Sequence, residues 1–193
     1  MKHLKLIALA LTLIFATACK KEKKEVEQVI KTEVEEVVED TKTEKTITVT
    51  MTPKSDSNVT GTVVFTDKEG QVTMKGKFSG LTEGVHAIHL HEKADCSSPD
   101  GKSSGGHWNP TAQPHGAWGA ESGFHKGDIG NMTANAEGNA EISLTTDQWC
   151  IGCGDDTKNI MGKAVIVHQG EDDLTSQPSG AAGARVSCAG IIE

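Results

Sequence analysis

Seven of the eight histidines of this chain lie between residues 86 and 168, together with an aspartate. The residues of this group are His86, His89, His91, His107, His115, His125, Asp128 and His168. Imidazole nitrogens and carboxylate oxygens are ligands that proteins offer to zinc and copper. Six imidazoles and one carboxylate are too many for one four-coordinate ion, but they suit two ions that share a ligand. An imidazolate can be shared because it has two ring nitrogens. The residue types therefore predict a two-metal site.

His89 and His91 lie two positions apart in a run that is typical of a β-strand. Strand side chains repeat their direction every second residue, so both imidazoles leave the same face and can bind one ion together. An isolated pair of this kind is more often merely solvated, but further histidines follow this one. His168 ends the apolar run at residues 164–167, which predicts a buried strand with an imidazole at its tip.

The remaining candidate ligands fall in a segment rich in glycine and proline, which predicts a long loop. They are His107, His115, His125 and Asp128. Three imidazoles and one carboxylate form a donor set that suits tetrahedral zinc.

Five short motifs, in their order along the chain, resemble the copper/zinc superoxide dismutase family. They are GLTEGVHAIHLHE at residues 80–92, GHWNP at 106–110, HKGDIGN at 125–131, VH at 167–168 followed by DDL at 172–174, and GARVSCAG at 183–190. Each motif alone is moderately specific, whereas five in the order of the family are very specific. The resemblance covers roughly residues 46–193.

The resemblance implies a role for each candidate residue. Copper would be held by His89, His91, His107 and His168, and zinc by His107, His115, His125 and Asp128. Asp172 matches a carboxylate that hydrogen-bonds one copper-side and one zinc-side histidine, although by itself it is one acid of the acidic segment 171–173. His86 matches a structural position beneath the copper site, and Arg185 would hold the superoxide anion beside copper.

The reaction that the resemblance implies is conversion of superoxide to oxygen and hydrogen peroxide, with copper alternating between Cu(II) and Cu(I). His107 would leave the reduced copper, take up a proton and return it to the peroxide. Two departures from the family concern the loops: the stretch between His115 and His125 is one residue longer than in eukaryotic members, and residues 169–183 contain no lysine. Arg185 then remains to attract an anion to a chain of net charge -8.

The region that carries these residues predicts an all-β fold. Residues 46–51 and 60–66 alternate as strands do, turn residues follow at 67–70 and 136–139, and helical periodicity is absent. The region is long enough for one core and too short for two. We expect an antiparallel Greek-key β-sandwich or flattened barrel with two long functional loops, an architecture to which copper/zinc superoxide dismutases belong.

The first eighteen residues predict a signal peptide, because Lys2 and Lys5 precede an apolar run that is too short to span a bilayer. The sequence ATAC at residues 16–19 resembles a bacterial lipobox, so we expect acylation of Cys19; an ordinary secretory signal is the alternative. Residues 19–45 lack aromatic side chains and predict a flexible charged tether, with a transient helix as an open alternative. The domain at residues 46–193 would then be lipid-anchored in the cell envelope, facing the periplasm or the exterior.

Four cysteines remain once Cys19 is set aside, and an even number in an exported protein favours disulfides. The resemblance implies a bridge between Cys96 and Cys188, and closing a loop of about 92 residues stabilises the fold by roughly 4 to 5 kcal/mol as an upper figure. Cys150 and Cys153 lie outside the family pattern. A local disulfide is the preferred interpretation, ahead of free thiols or a redox or metal-binding role.

Two other classes of function stay open from the sequence. A copper-buffering lipoprotein would need the histidines but not Arg185, and a catalytically inactive adhesion protein should have lost ligands, none of which is lost. A zinc hydrolase is weaker because the usual general base is not evident. The expected partners are superoxide and, through the lipid on Cys19, a membrane; no nucleic-acid partner is expected. Monomer and homodimer remain equally open.

Overall fold

Alternating apolar and polar residues fold the described part of this chain into a sheet of eight strands. The computed structural model describes residues 44–192. The strands are β1 Lys45–Pro53, β2 Thr60–Lys68, β3 Gln71–Ser79, β4 Gly84–His91, β5 Gly130–Ala134, β6 Ala140–Thr146, β7 Ala164–His168 and β8 Arg185–Gly190. A three-residue 3-10 helix, Lys102–Ser104, lies in the long loop after β4 and was not expected from the sequence.

The strands pair antiparallel in the order β5, β4, β7, β8, β1, β2, β3, β6. β1 joins the two halves of the sheet, because its residues 45–51 pair with β2 while Thr52 and Pro53 pair with β8. The two end strands, β5 and β6, pack against each other, so the sheet curls into a nearly closed barrel. Some strands that are consecutive in the sequence are not neighbours in the sheet, which is the Greek-key arrangement. The predicted all-β fold is confirmed.

Burial differs between the two halves of the sheet. On β3, Val72 and Met74 are buried while Lys75 and Lys77 are exposed, which is the alternation of a strand with one wet face. Burying an apolar side chain of this size stabilises the fold by about 1.5 to 3 kcal/mol. β7, by contrast, is buried along its whole length, as is β4 from residue 86 onward. The strands that carry candidate ligands therefore lie in the interior.

A tight turn joins β2 to β3 where the sequence predicts one. Lys68 pairs with Gln71, which leaves Glu69 and Gly70 as a two-residue turn with φ values of 54° and 79°. Positive φ at both positions is the type I′ geometry, whose twist matches that of the flanking strands. Glycine removes the steric cost of this conformation at the second position.

The predicted signal peptide, Cys19 and nearly all of the predicted tether lie outside the described residues. The first strand begins at Lys45, one residue before the predicted start of the domain. Within residues 44–192, no helix has the length and apolar character needed to cross a membrane.

Candidate metal centre

Three of the candidate ligands come from the two buried neighbouring strands β4 and β7. His89 and His91 lie at the end of β4, and their ring centroids are 6.5 Å apart. His168 ends β7 at an irregularity in its pairing with β8 between Val167 and His168. Such irregularities redirect a side chain. The His168 ring lies 4.9 Å from that of His89 and 5.6 Å from that of His91, so the three imidazoles converge.

His107 is brought to this cluster by a loop that folds back along β4. The Glu92 N–H donates to the Gly106 carbonyl (3.0 Å), and the Trp108 N–H donates to the Leu90 carbonyl (2.8 Å). These bonds set His107 opposite His91 in an isolated antiparallel bridge. The His107 ring then lies 3.9 Å from that of His89.

The same loop, continuing to β5, supplies a second cluster. Asp128 is its centre: Oδ1 lies 2.8 Å from His107 Nδ1 and 3.1 Å from His125 Nδ1, while Oδ2 lies 3.0 Å from His115 Nδ1. Backbone N–H groups of Gly116 and His125 also donate to Oδ2, so the carboxylate is fixed in place. All four residues of this cluster are buried.

The two clusters can be stated as candidate metal sites. The structure groups His89, His91, His107 and His168, and separately His107, His115, His125 and Asp128, with the ligand atoms of each group within 4.8 Å of one another. These are the two sets that the sequence resemblance implies. His107 belongs to both, because its Nδ1 faces Asp128 and its Nε2 faces the first group.

Unpaired nitrogens test whether the clusters fit metal ions. Within residues 44–192, five buried ring nitrogens have no hydrogen-bond partner: His89 Nδ1, His91 Nε2, His107 Nε2, His115 Nδ1 and His168 Nε2. His115 Nδ1 lies 3.0 Å from Asp128 Oδ2, but this contact is not a hydrogen bond. A buried polar atom without a partner costs about 1 to 3 kcal/mol, so five in one place need an explanation. Four of them belong to the first cluster, whose ligand atoms lie within 4.8 Å of one another. The donor set fits copper there and zinc in the second cluster.

The opposite ring nitrogens are all held. His89 Nε2 donates to Asp172 Oδ2 (2.8 Å) and His115 Nε2 donates to Asp172 Oδ1 (2.9 Å). His91 Nδ1 donates to the Gly105 carbonyl (2.9 Å). Each bond leaves the proton on the outer nitrogen and the lone pair on the inner one. Asp172 thus spans both clusters, where the resemblance implies that it should lie.

Burial favours the neutral form of four candidate ligands, His89, His91, His125 and His168. It lowers the pKa of His89 to about 4, and it also lowers the pKa values of His91, His125 and His168. Burial opposes ionisation of Asp172, but hydrogen bonds from His89 and His115 outweigh it and lower the pKa of this carboxyl. Neutral imidazoles and an ionised carboxylate are the states in which these groups bind metals.

His86 lies close to the first cluster but belongs to neither group. Its Nδ1 contacts the His168 carbonyl at 3.0 Å, and its Nε2 contacts the Thr82 carbonyl at 2.9 Å. The side chain is buried and links the end of β7 to the turn before β4. These contacts fit the structural position that the resemblance implies for it.

A cavity of about 390 Å³ opens over the first cluster. Its wall includes His91, His107 and His168 from the cluster, Glu92, Ser179 and Arg185 around them, and Gly106, Asn109, His125, Pro178 and Gly183. The Arg185 guanidinium is fixed by donating to the Gly101 carbonyl (2.9 Å) and to Ser104 Oγ (3.1 Å). No lysine of the described chain lines this cavity, in agreement with the loop composition. Arg185 is therefore its fixed positive charge.

Disulfides join Cys96 to Cys188 and Cys150 to Cys153. The first connects the loop after β4 to β8, which begins with Arg185. This bridge therefore cross-links the loop that carries Gly101 to the strand that carries Arg185, the two residues that are hydrogen-bonded to each other. The second is the local disulfide preferred from the sequence.

Three supporting residues were not identified from the sequence. Asn131 exchanges two hydrogen bonds with the backbone of Asp172, at 2.8 and 2.9 Å. Gln177 accepts from the N–H of His115 (2.9 Å) and donates to its carbonyl (2.8 Å). Gly180 lies so close to this pair that a Cβ atom would be 1.8 Å from Asp172 Oδ1 and 2.7 Å from His115 Nε2. Asn131 falls within a quoted motif, whereas no local pattern marks the other two.

Comparison with known proteins agrees with this geometry. The family model described as copper/zinc superoxide dismutase matches residues 59–191. The chain is 39% identical over 143 residues to superoxide dismutase [Cu-Zn] 2 of Mesembryanthemum crystallinum, covering 70% of this chain and 88% of that one.

Two solved structures share the fold. A double mutant of a SOD-like protein from Bacillus subtilis has a TM-score of 0.66 and 30% identity, covering 76% of this chain and 97% of its own. The clock protein EA4 has a TM-score of 0.66 and 30% identity, covering 79% and 98%. With the paired clusters and the family match together, this chain belongs to the copper/zinc superoxide dismutase family and is an enzyme of that family.

Proposed function

We propose that this enzyme dismutates superoxide outside the cytoplasm, at a site where copper and zinc would share His107 as a ligand. The observation that carries the proposal is the orientation of the His107 ring, whose Nε2 is buried and unpaired within the copper-side group while its Nδ1 lies 2.8 Å from Asp128. His89, His91 and His168 would complete the copper site, and His115, His125 and Asp128 the zinc site.

The reaction consumes two superoxide anions and two protons and yields oxygen and hydrogen peroxide. Bound copper would supply the one-electron redox chemistry. His107 supplies a proton to peroxide from Nε2, the nitrogen that is buried and unpaired within the copper-side group, and the residue lines the cavity. Its Nδ1 stays beside Asp128, so the ring keeps its place while Nε2 gains and loses the proton.

Arg185 holds the anion in the cavity over the copper-side group. Its guanidinium is restrained by the Gly101 carbonyl and Ser104 Oγ, so a substrate meets a preorganised donor. Burial lowers the pKa of Arg185, but a guanidinium stays charged at neutral pH. Glu92 lines the same cavity, and no lysine of the described residues does. The attraction of Arg185 for an anion is therefore opposed by one carboxylate and not reinforced by a lysine.

Asp172 fixes a copper-side and a zinc-side histidine relative to each other. One oxygen accepts from His89 and the other from His115, while Asn131 holds the Asp172 backbone. These bonds leave His89 Nδ1 and His115 Nδ1 as the nitrogens that would hold copper and zinc, respectively. Carboxylates in this position also raise the basicity of the ligand ring.

The proposed location is the cell envelope of a bacterium. The signal-like segment at residues 1–18 and the lipobox-like Cys19 support an anchor, and residues 19–45 would be the tether that leads to the domain. The two disulfides favour an oxidising compartment. There the enzyme would serve antioxidant defence at the periplasmic or outer face. Labelling with palmitate should be lost in Cys19→Ser if the anchor is real.

The deciding experiment is superoxide dismutation by the chain from residue 20 onward, reconstituted with copper and zinc and analysed for both metals. We expect fast, cyanide-sensitive turnover at one copper and one zinc per chain. Full occupancy by both metals without turnover would instead favour a copper-holding protein. Sedimentation of the same sample decides between monomer and homodimer.

A further inference from the structure

The Cys150–Cys153 disulfide lies outside the metal centre and has no part in the function proposed above. Both cysteines are half-buried, and Gly152 between them is exposed. In the other disulfide, Cys96 is half-buried as well, but Cys188 has 0% of its surface exposed, so only one of the two sulfurs can be approached from solvent. A thiol reagent in solution therefore reaches the local disulfide more readily than the one between Cys96 and Cys188.

Backbone hydrogen bonds hold the turn without help from its sulfur atoms. The Cys150 N–H donates to the Lys158 carbonyl (2.8 Å), and the Cys150 carbonyl accepts from the Ile160 N–H (3.1 Å). The Gly152 N–H donates to Asn159 Oδ1 (3.0 Å). Opening the disulfide breaks none of these bonds.

The strands beneath the turn hold it as well. The Ile151 N–H donates to Asp67 Oδ2 (3.1 Å), and Lys45 Nζ donates to the Ile151 carbonyl (2.9 Å). Lys45 and Asp67 are opposite each other on β1 and β2, so one positive and one negative charge face the turn from the sheet. The turn is thus bonded to both strands through the two peptide groups that flank the Ile151 Cα atom.

Trp149 fixes the start of the turn. It is 1% exposed, and its indole N–H donates to the Lys126 carbonyl (2.8 Å). Its ring packs edge-on against Phe65 at 6.3 Å and against Trp118 at 5.4 Å. The residue before Cys150 is therefore anchored in the core whether or not the disulfide is closed.

We propose that Cys150 and Cys153 form a second redox site, which exchanges with dithiols in the folded enzyme while Cys96–Cys188 stays closed. A thiolate of the dithiol attacks one sulfur of the pair and forms a mixed disulfide, and the other cysteine leaves as a thiolate and takes a proton. The second thiol of the dithiol then displaces the first cysteine. The dithiol becomes a disulfide, and two electrons and two protons pass to Cys150 and Cys153.

The test is a reduction series on the full metal-loaded chain with dithiothreitol, followed by alkylation and peptide mass spectrometry. Cys150 and Cys153 should be alkylated together at a dithiothreitol concentration about tenfold or more below that needed for Cys96 and Cys188. The far-UV circular dichroism should not change over that range, and oxidised dithiothreitol should restore the local disulfide. Simultaneous opening of both disulfides, or failure of the local one to re-form, overturns the proposal.

The double variant Cys150→Ser, Cys153→Ser is the matched control. It should fold, retain copper and zinc, and show no alkylation of Cys96 or Cys188 over the concentrations that open the local disulfide in the natural chain. Failure of this variant to fold would show that the turn depends on its disulfide and would overturn the proposal by a second route.

Discussion

The copper-side and zinc-side ligands of this enzyme are held in place by different means. His89, His91 and His168 lie on buried strands, where a backbone ladder fixes each residue. His115 and His125 lie on the loop between β4 and β5, where side-chain contacts do most of the positioning. The difference indicates that the copper side is preorganised by the fold, whereas the zinc side depends on its metal and on a few polar contacts.

The largest effect should come from His107→Ala, which removes the residue shared by both sides. Copper should stay bound by its three strand-borne histidines, while turnover falls about a hundredfold or more because the proton donor is lost. The measurements are dismutation kinetics and copper content. In the natural enzyme, a copper absorption spectrum that does not change on zinc removal would contradict a His107 bridge.

Removing both metals should separate the two sides in hydrogen exchange. Amides around His115 and His125 should lose protection by about a hundredfold, the factor expected when a ligand at a hundred times its Kd is withdrawn from a locally opening segment. Amides of β4 and β7 should change far less. Mass spectrometry of the metal-free and reloaded protein measures this protection. Equal loss of protection in the loop and in the strands would contradict the proposed difference between the zinc side and the copper side.

Asp172→Asn should weaken zinc binding more than copper binding. An amide cannot accept from both His89 and His115, and loss of such a carboxylate lowers metal affinity by about ten- to a hundredfold. His89 keeps its strand position, whereas His115 loses one of its few restraints. Competition with chelators measures both affinities. Asp173→Asn, an exposed neighbour that bonds the backbone of Thr175 and Ser176, is the control.

Gln177→Ala should speed the release of zinc about fivefold or more, because it removes two hydrogen bonds to the backbone of His115, each worth about 0.5 to 1.5 kcal/mol. The rate is measured with a chromophoric chelator. Gln113→Ala is the matched control. Gln113 lies in the same loop as His115, between β4 and β5, and its side chain donates weakly to the Thr111 carbonyl at 3.3 Å. Equal rates for the two variants would remove Gln177 from the positioning of zinc.

Arg185→Gln should give the smallest change and confine it to the copper side. We expect kcat/KM to fall several-fold at low ionic strength, with copper and zinc contents unchanged, because the fixed charge of the cavity is lost. Lys102→Gln removes an exposed charge from the nearby 3-10 helix and serves as the control. A dismutation rate that does not respond to Arg185→Gln would exclude electrostatic capture by this residue.

The sequence predicts the copper side better than the zinc side, for a physical reason. The spacing of His89 and His91 and the apolar run before His168 are local patterns that follow directly from strand geometry. The zinc side depends on contacts between distant segments: Gln177 and His115 are 62 residues apart, and an exposed glutamine carries no local signal. The irregularity that directs His168 is likewise a property of strand pairing, which residue types alone do not reveal.

The close approach of Gly180 to Asp172 and His115 restricts how this loop can be redesigned. Its φ is +66°, and even a methyl group would occupy the line of the hydrogen bond between the two side chains. Lysines introduced to improve substrate attraction can be placed at an exposed position such as Thr175, whose backbone the bond does not touch. A library that varies residue 180 would instead yield mostly variants in which the hydrogen bond between Asp172 and His115 is lost. Asp172 then no longer connects the copper-side and zinc-side histidines.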